Sequence, residues 1–228
     1  MKPISCVFLR AVIALQFLSG ILLAGEKDVE IFDGKTLKGW VQRGGKAEYR
    51  VEAGEIIGRC VPNTPNSFLC TEGDFSDFIL ELDFKVDPGL NSGVQVRSHS
   101  LEEPRTITWK DKDVRVGPKR VHGMQVEIDP SDRAWTGGLY EEGARGWFAN
   151  LKENEAAQKA FHQNDWNHFK IQCRGSTYRT WLNGVPAAEL EDTLEAKGFI
   201  ALQVHGVGKS DKPREVRFRN FHLKMLIP

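Results

Sequence analysis

The stretch VHGMQVEIDPSDRAWTGGLYEEGARGW, residues 121–147, decides how this chain is read. It opens as a strand. Met124, Val126 and Ile128 alternate with Gln125, Glu127 and Asp129, so one face is apolar and the other carries an amide and two carboxylates. Like charges two residues apart repel unless something positive or polar sits over them, so this is an expensive face to leave as plain wet surface. Pro130 has no N–H for a ladder and ends the strand. Beyond it come Arg133, Trp135, Tyr140, Glu141, Glu142, Arg145 and Trp147, broken by Gly137, Gly138, Gly143 and Gly146. Aromatic rings stack on the C–H faces of a pyranose, and charged planar groups bind its hydroxyls in pairs, so the cluster suits a sugar site. Taken one at a time, these residues read equally well as a loop's own small core with its charges paired at the surface.

Two further strands share the same apolar and polar faces. In NSGVQVRSH, residues 91–99, Val94 and Val96 oppose Gly93, Gln95 and Arg97. In GFIALQVHG, residues 198–206, Ile200, Leu202 and Val204 oppose Ala201, Gln203 and His205. The alternation predicts that Arg97, Gln125, Glu127, Gln203 and His205 converge on one concave face. Elsewhere, a short strand and glycine turn are expected over 30–40, and a hairpin over 47–51 and 55–60 around Ala53-Gly54. Strands follow over 67–71 and 78–86, then a meander over 166–174, 177–183 and 185–190 with a tight turn at Asn183-Gly184. A closing strand is expected over 215–226. Residues 101–120 read as a lid or an insertion, and 153–161 as the one helix, capped by Asn150. Many short strands with turn signals between them mean an all-β fold of two stacked antiparallel sheets.

Composition narrows the class. The chain has 228 residues, the size of one large β-sandwich. Residues 1–24 read as a secretory signal peptide: Lys2 and Arg10 start it, an apolar run fills 11–23, and Ala24 or Gly25 offers a small residue for cleavage. The run is short for a membrane span, although a retained anchor is the competing reading. Residues 25–228 are then a single domain, secreted or periplasmic, with no stable membrane span after cleavage. Without the two leader cations it carries 29 basic against 31 acidic side chains, a net of −2, which does not suit a nucleic-acid partner. Cys60 and Cys70 flank a loop, and a disulfide between them is one expectation in an oxidising compartment. Cys173 reads as a buried free thiol.

IFDGKTLKGW, NSGVQVRSH, GMQVEIDP, TGGLYEE, DWNHFKIQCRG followed by WLNG, GFIALQVHG and EVRFRNFHL, in this order, resemble the 3-keto-disaccharide hydrolase family, long carried as domain of unknown function 1080. The resemblance spans about residues 29–226. It implies a concanavalin A-like (laminin-G-like) jelly roll and action on glycosides already oxidised to a ketone at C3. One departure stands out. The family pattern has Glu and then Gln on the central strand, whereas here Gln125 precedes Glu127, which leaves open whether Glu127 does the same job.

A C3 ketone acidifies the C2 proton. A base removes it, the C1 substituent leaves by β-elimination, and water adds back to the enone. That route needs a base near C2, a hydrogen-bonding or positive group on the enolate oxygen, and an acid on the leaving oxygen. Glu127 or His205 is the candidate base, and Tyr140 or Glu141 the acid. Arg97 and Gln203 are candidates for the enolate or sugar hydroxyls, with Gln125, Asp129, Arg133 and Arg145 as further polar contacts. Trp135 and Trp147 are candidates for stacking on the ring. No cofactor is identified from the sequence, and a divalent metal on Glu127, Asp129 and His205 is an open option. The alternative function is a non-catalytic, lectin-like carbohydrate-binding domain using the same face.

Overall fold

The computed structural model describes residues 25–209 and 211–227, so the expected signal peptide at 1–24 lies outside the described residues. In chain order the strands are β1 (Gly25–Val29), β2 (Trp40–Gly44), β3 (Glu48–Glu52), β4 (Glu55–Arg59), β5 (Ser67–Phe75), β6 (Phe78–Val86), β7 (Ser92–His99), β8 (Arg105–Trp109), β9 (Lys112–Val116), β10 (His122–Ile128), β11 (Leu139–Glu142), β12 (Gly146–Ala149), β13 (Asn167–Arg174), β14 (Thr177–Leu182), β15 (Val185–Glu191), β16 (Gly198–Val204) and β17 (Glu215–Ile227). Two antiparallel sheets stack face to face. One runs β15-β14-β13-β6-β17-β4-β3, with β1 also on β17, and the other runs β12-β11-β10-β7-β16-β5-β2.

The period-2 pattern builds this core directly. Phe78, Leu80, Leu82, Phe84 and Val86 point inward from β6, and Phe169, Ile171 and Cys173 from β13. Val94, Val96, Met124, Val126, Ile128, Ile200, Leu202 and Val204 meet them from the second sheet. Each buried Leu, Phe or Ile contributes about 2 kcal/mol of transfer free energy. Asn183 and Gly184, with φ of 50° and 81°, form the expected two-residue hairpin turn between β14 and β15.

Several local expectations are corrected. Residues 30–39 form a loop, with the strands placed on either side of it. Residues 101–120 contain an antiparallel ribbon, β8 paired with β9. The helix α1 is only Glu155–Gln158, and Asn154, not Asn150, accepts the capping bond from the Ala157 N–H. Cys60, Cys70 and Cys173 are all free thiols. Cys60 belongs to the core between the sheets while Cys70 lies in a separate cluster with Phe68, Val121, Phe199 and Ala201, so strand parity sends the two sulfurs to different faces.

Candidate functional site

The three polar-faced strands lie side by side as β10-β7-β16, and this adjacency makes the site. Register fixes two cross-strand rows. Tyr140, Gln125, Gln95 and Ala201 form one, and Glu127, Gly93 and Gln203 the other. With loop residues, these rows line a cavity of about 500 Å³ whose walls include Asn91, Gln125, Glu127, Tyr140, Glu142 and Gln203. Arg120, Arg133, Trp147, Asn66 and His205 complete it.

A directed chain of amides ends on Glu127. Ser98 Oγ donates to Gln95 Oε1 (2.7 Å), Gln95 Nε2 donates to Gln125 Oε1 (2.6 Å), and Gln125 Nε2 donates to Glu127 Oε2 (2.8 Å). Asn91 Nδ2 donates to the other oxygen, Oε1, at 2.6 Å. Gly93 is required here, because a Cβ at that position would lie 2.5 Å from Gln125 Cδ. Burial pushes the Glu127 carboxyl above the usual range, while the donors from Asn91 and Gln125 pull the other way. The result is an oriented, poorly hydrated carboxyl with one N–H on each oxygen and lone pairs left to accept a proton.

Glu142 is the second carboxyl of the cavity, and it is half-buried. Burial raises it, against the opposing pull of Arg120, His205, Asn66 and Gln203. Gln203 Nε2 donates to Glu142 Oε2 at 3.3 Å, and Gln203 Oε1 is buried with no hydrogen-bond partner among the described residues. A buried acceptor without a donor is what an incoming hydroxyl would satisfy. Tyr140 stands near both acids: burial first, then the charges of Glu142 and Glu127, hold its phenol protonated above the ordinary range. His205 is exposed at the end of β16, with Nδ1 2.7 Å from Gly206 O.

The other expected site residues divide. Arg133 and Trp147 line the cavity, with Asp129 and Trp135 behind them. Asp129 Oδ2 accepts from Arg133 Nε at 3.0 Å, and the Arg133 guanidinium lies 5.0 Å from the Trp135 ring and 5.9 Å from Trp147. Asp129 and Trp135 therefore hold a wall in place. Trp135 also meets Trp147 edge-on at 4.8 Å, so its ring is already covered.

Three expectations are corrected. Arg97 leaves the concave face. A one-residue bulge in β7 shifts the register against both neighbours, and Arg97 sits on it with φ of 46°. Its guanidinium donates to Ser76 O (2.7 Å), Gly175 O (2.7 Å) and Asp77 Oδ1 (2.8 Å), in the β5–β6 connection between the sheets and the β13–β14 turn. Glu141 and Arg145 also leave the site. Glu141 pairs with Met124 in register and so faces away from Tyr140; its carboxylate takes Arg145, which also binds Asp192 at 2.6 Å. The acid that sequence reasoning passed over is Glu142. Parity carried the signal, since Tyr140 and Glu142 are two apart on one strand and must share a face. Asn66 and Arg120 come from loops, where no periodicity points to them, whereas Asn91 shares the parity of Gly93 and Gln95 just ahead of β7. Among the described residues no three His, Cys, Asp or Glu side chains assemble a metal cluster, and Asp129 is taken up by Arg133, so the set Glu127, Asp129 and His205 is not brought together as ligands.

This architecture is that of the galectin-like and concanavalin-like sandwiches. A Bacillus subtilis protein of unknown function with a galectin-like fold superposes with a TM-score of 0.60 at 13% identity, covering 90% of this chain and 99% of that one. A Parabacteroides distasonis protein proposed to be a glycosyl hydrolase gives 0.56 at 16% identity, covering 86% and 93%. The carbohydrate recognition domain of Emp47p gives 0.52 at 12%, covering 87% and 93%. Identities this low establish the fold and nothing further. Comparison with curated proteins gives no match. The family match is specific: over residues 27–224 the chain belongs to the 3-keto-alpha-glucoside-1,2-lyase-like domain family. That membership supports a carbohydrate-active function. Among the described residues no helix is long and apolar enough to cross a membrane.

Proposed function

We propose that the cavity binds a glycoside oxidised to a ketone at C3 and cleaves it by elimination and hydration. The observation that carries this reading is the pair of desolvated carboxyls, buried Glu127 and half-buried Glu142, with the Tyr140 phenol close to both. Glu127, held by two N–H donors, is the base at C2. Tyr140, kept protonated, donates to the enolate oxygen at C3, and Arg133 or Arg120 supplies positive charge nearby. Glu142 gives its proton to the leaving oxygen as the C1–O bond breaks. Water then adds at C1, returning a proton to Glu142, and the Glu127 carboxyl returns the proton to C2. The net change is hydrolysis, with both acids restored. Gln203 Oε1 takes a sugar hydroxyl, and Trp147 presents a ring face to the pyranose. We place this reaction outside the cytoplasm, after removal of residues 1–24.

A lectin-like reading rests on Asn91, Gln125, Gln203, Tyr140 and Trp147, which suit sugar hydroxyls and C–H faces without turnover. The discriminating experiment measures release from a chromogenic 3-keto-glucoside and from its unoxidised parent, using wild type and Glu127→Gln. Release from the keto compound alone, reduced 10²–10⁴-fold or so in the variant, is the expected result. Saturable binding without release in either protein would move the assignment to a carbohydrate-binding domain.

A further inference from the structure

A second groove of about 640 Å³ continues from the first cavity and shares Asn66, Arg120 and Glu142 with it as a common wall. The chemistry of the two differs sharply. The first is lined by amides, carboxylates, guanidinium groups and aromatic rings with polar edges. The second is lined by Phe68, Val121, Val207 and Pro65, with Gly44 and Gly206 presenting bare backbone. Those glycines are enforced, since a Cβ would lie 2.5 Å from Asn66 O at position 44 and 2.6 Å from Thr64 O at position 206. Register explains the change of character. The row Glu127, Gly93, Gln203 continues onto β5 as Phe68, so the floor turns from polar to aromatic one strand past Gln203. Phe68 packs there with Val121, Cys70, Phe199 and Ala201, a small apolar cluster on the site side of the sheet.

We propose that this groove is the leaving-group subsite, and that it selects 3-keto-glycosides with an apolar, ring-bearing aglycone over those whose leaving group is a second sugar. The proposal rests on the reaction proposed above and deepens it. Glu142 stands in the wall common to both cavities, where the bridging oxygen of a substrate lying across them must pass, so its proton is at hand for that oxygen. A second sugar brought into the groove would need donors and acceptors for three or more hydroxyls, and Thr64 and Lys119 are the side chains offering them beyond the shared wall of Asn66, Arg120 and Glu142, which already faces the first cavity. An apolar ring needs none, and it would lie against half-buried Val207 over a floor in which Phe68 and Val121 are already buried.

The test uses three 3-keto-glucosides with alkoxide leaving groups, methyl, 2-phenylethyl and glycosyl, of which the sugar is the least basic and so leaves most readily by intrinsic chemistry. Methyl fills only the first cavity. Wild type is expected to show a kcat/KM for the phenylethyl compound at least tenfold above both others. Val207→Thr and Val121→Thr, near-isosteric and polar, are expected to lower the phenylethyl-to-methyl ratio at least threefold. Turnover of the methyl compound with no phenylethyl preference, or a ratio unmoved by both variants, overturns the subsite while leaving the reaction standing. No turnover of any of the three overturns the reaction and the subsite together.

Discussion

Glu141 and Glu142 are neighbours in sequence and face opposite sides of β11. Glu142 lines the cavity, whereas Glu141 is 2% exposed and binds Arg145 on the far side. Their substitutions should separate accordingly. Glu141→Gln removes one partner from a buried, doubly bonded guanidinium and leaves Asp192 as the remaining acid. It should cost about 3 kcal/mol of stability by denaturant titration. Glu142→Gln should not lower the denaturation midpoint, and should lower turnover of the keto substrate roughly 10²–10⁴-fold. The reverse pattern, with Glu141→Gln inactive and stable, would show that parity has been misassigned on this strand.

The same contrast shows what was legible in the sequence. Alternation on 78–86, 122–128 and 198–204 sorts Leu82, Val126 and Leu202 from Lys85, Gln125 and Gln203 by parity alone, and this is enough to stack two sheets. It also draws Gln125, Glu127 and Gln203 together. Alternation fails where the backbone departs from period 2. The bulge in β7 turns Arg97 away, and another between Arg219 and His222 in β17 makes Leu223, not His222, the next buried residue after Phe218. Loop residues carry no period at all, so Arg120 and Asn66 became visible only when the strands on either side of them were placed.

The two desolvated acids also fix a pH dependence. Burial raises Glu127 and Glu142 above the ordinary value of 4.5 in the folded protein. Between that value and the raised folded one, the native state binds more protons than the unfolded state. Stability therefore falls as pH rises through this window, and the cost is fully present above the folded values. Relative to wild type, Glu142→Gln should gain stability on going from pH 4.5 upward and then level off. Urea titrations at half-unit intervals measure the difference. A difference that is flat, or that shrinks as pH rises, would mean that Glu142 is not held protonated by burial. The catalytic assignment predicts a matching rate profile, with the acidic limb, set by ionisation of Glu127, above the ordinary carboxylate range.

Arg97 provides the sharpest separation between a structural and a chemical role. Sequence alternation alone would put its guanidinium on the enolate, but the fold buries it to 1% exposure against Ser76 O, Gly175 O and Asp77, with the Tyr178 ring 5.2 Å away. Lysine keeps the charge and loses the planar fork, so Arg97→Lys can satisfy only part of that set. The two carbonyls and the carboxylate tie the β5–β6 and β13–β14 turns to β7, and the missing bonds should cost about 1–3 kcal/mol of stability. Below its melting transition the variant should turn over keto substrate within a few-fold of wild type. A variant as stable as wild type but slowed by orders of magnitude would put Arg97 back among the groups that touch substrate. A variant that is less stable and still active ties Arg97 to the bulge it sits on, and leaves positive charge in the cavity to Arg120 and Arg133.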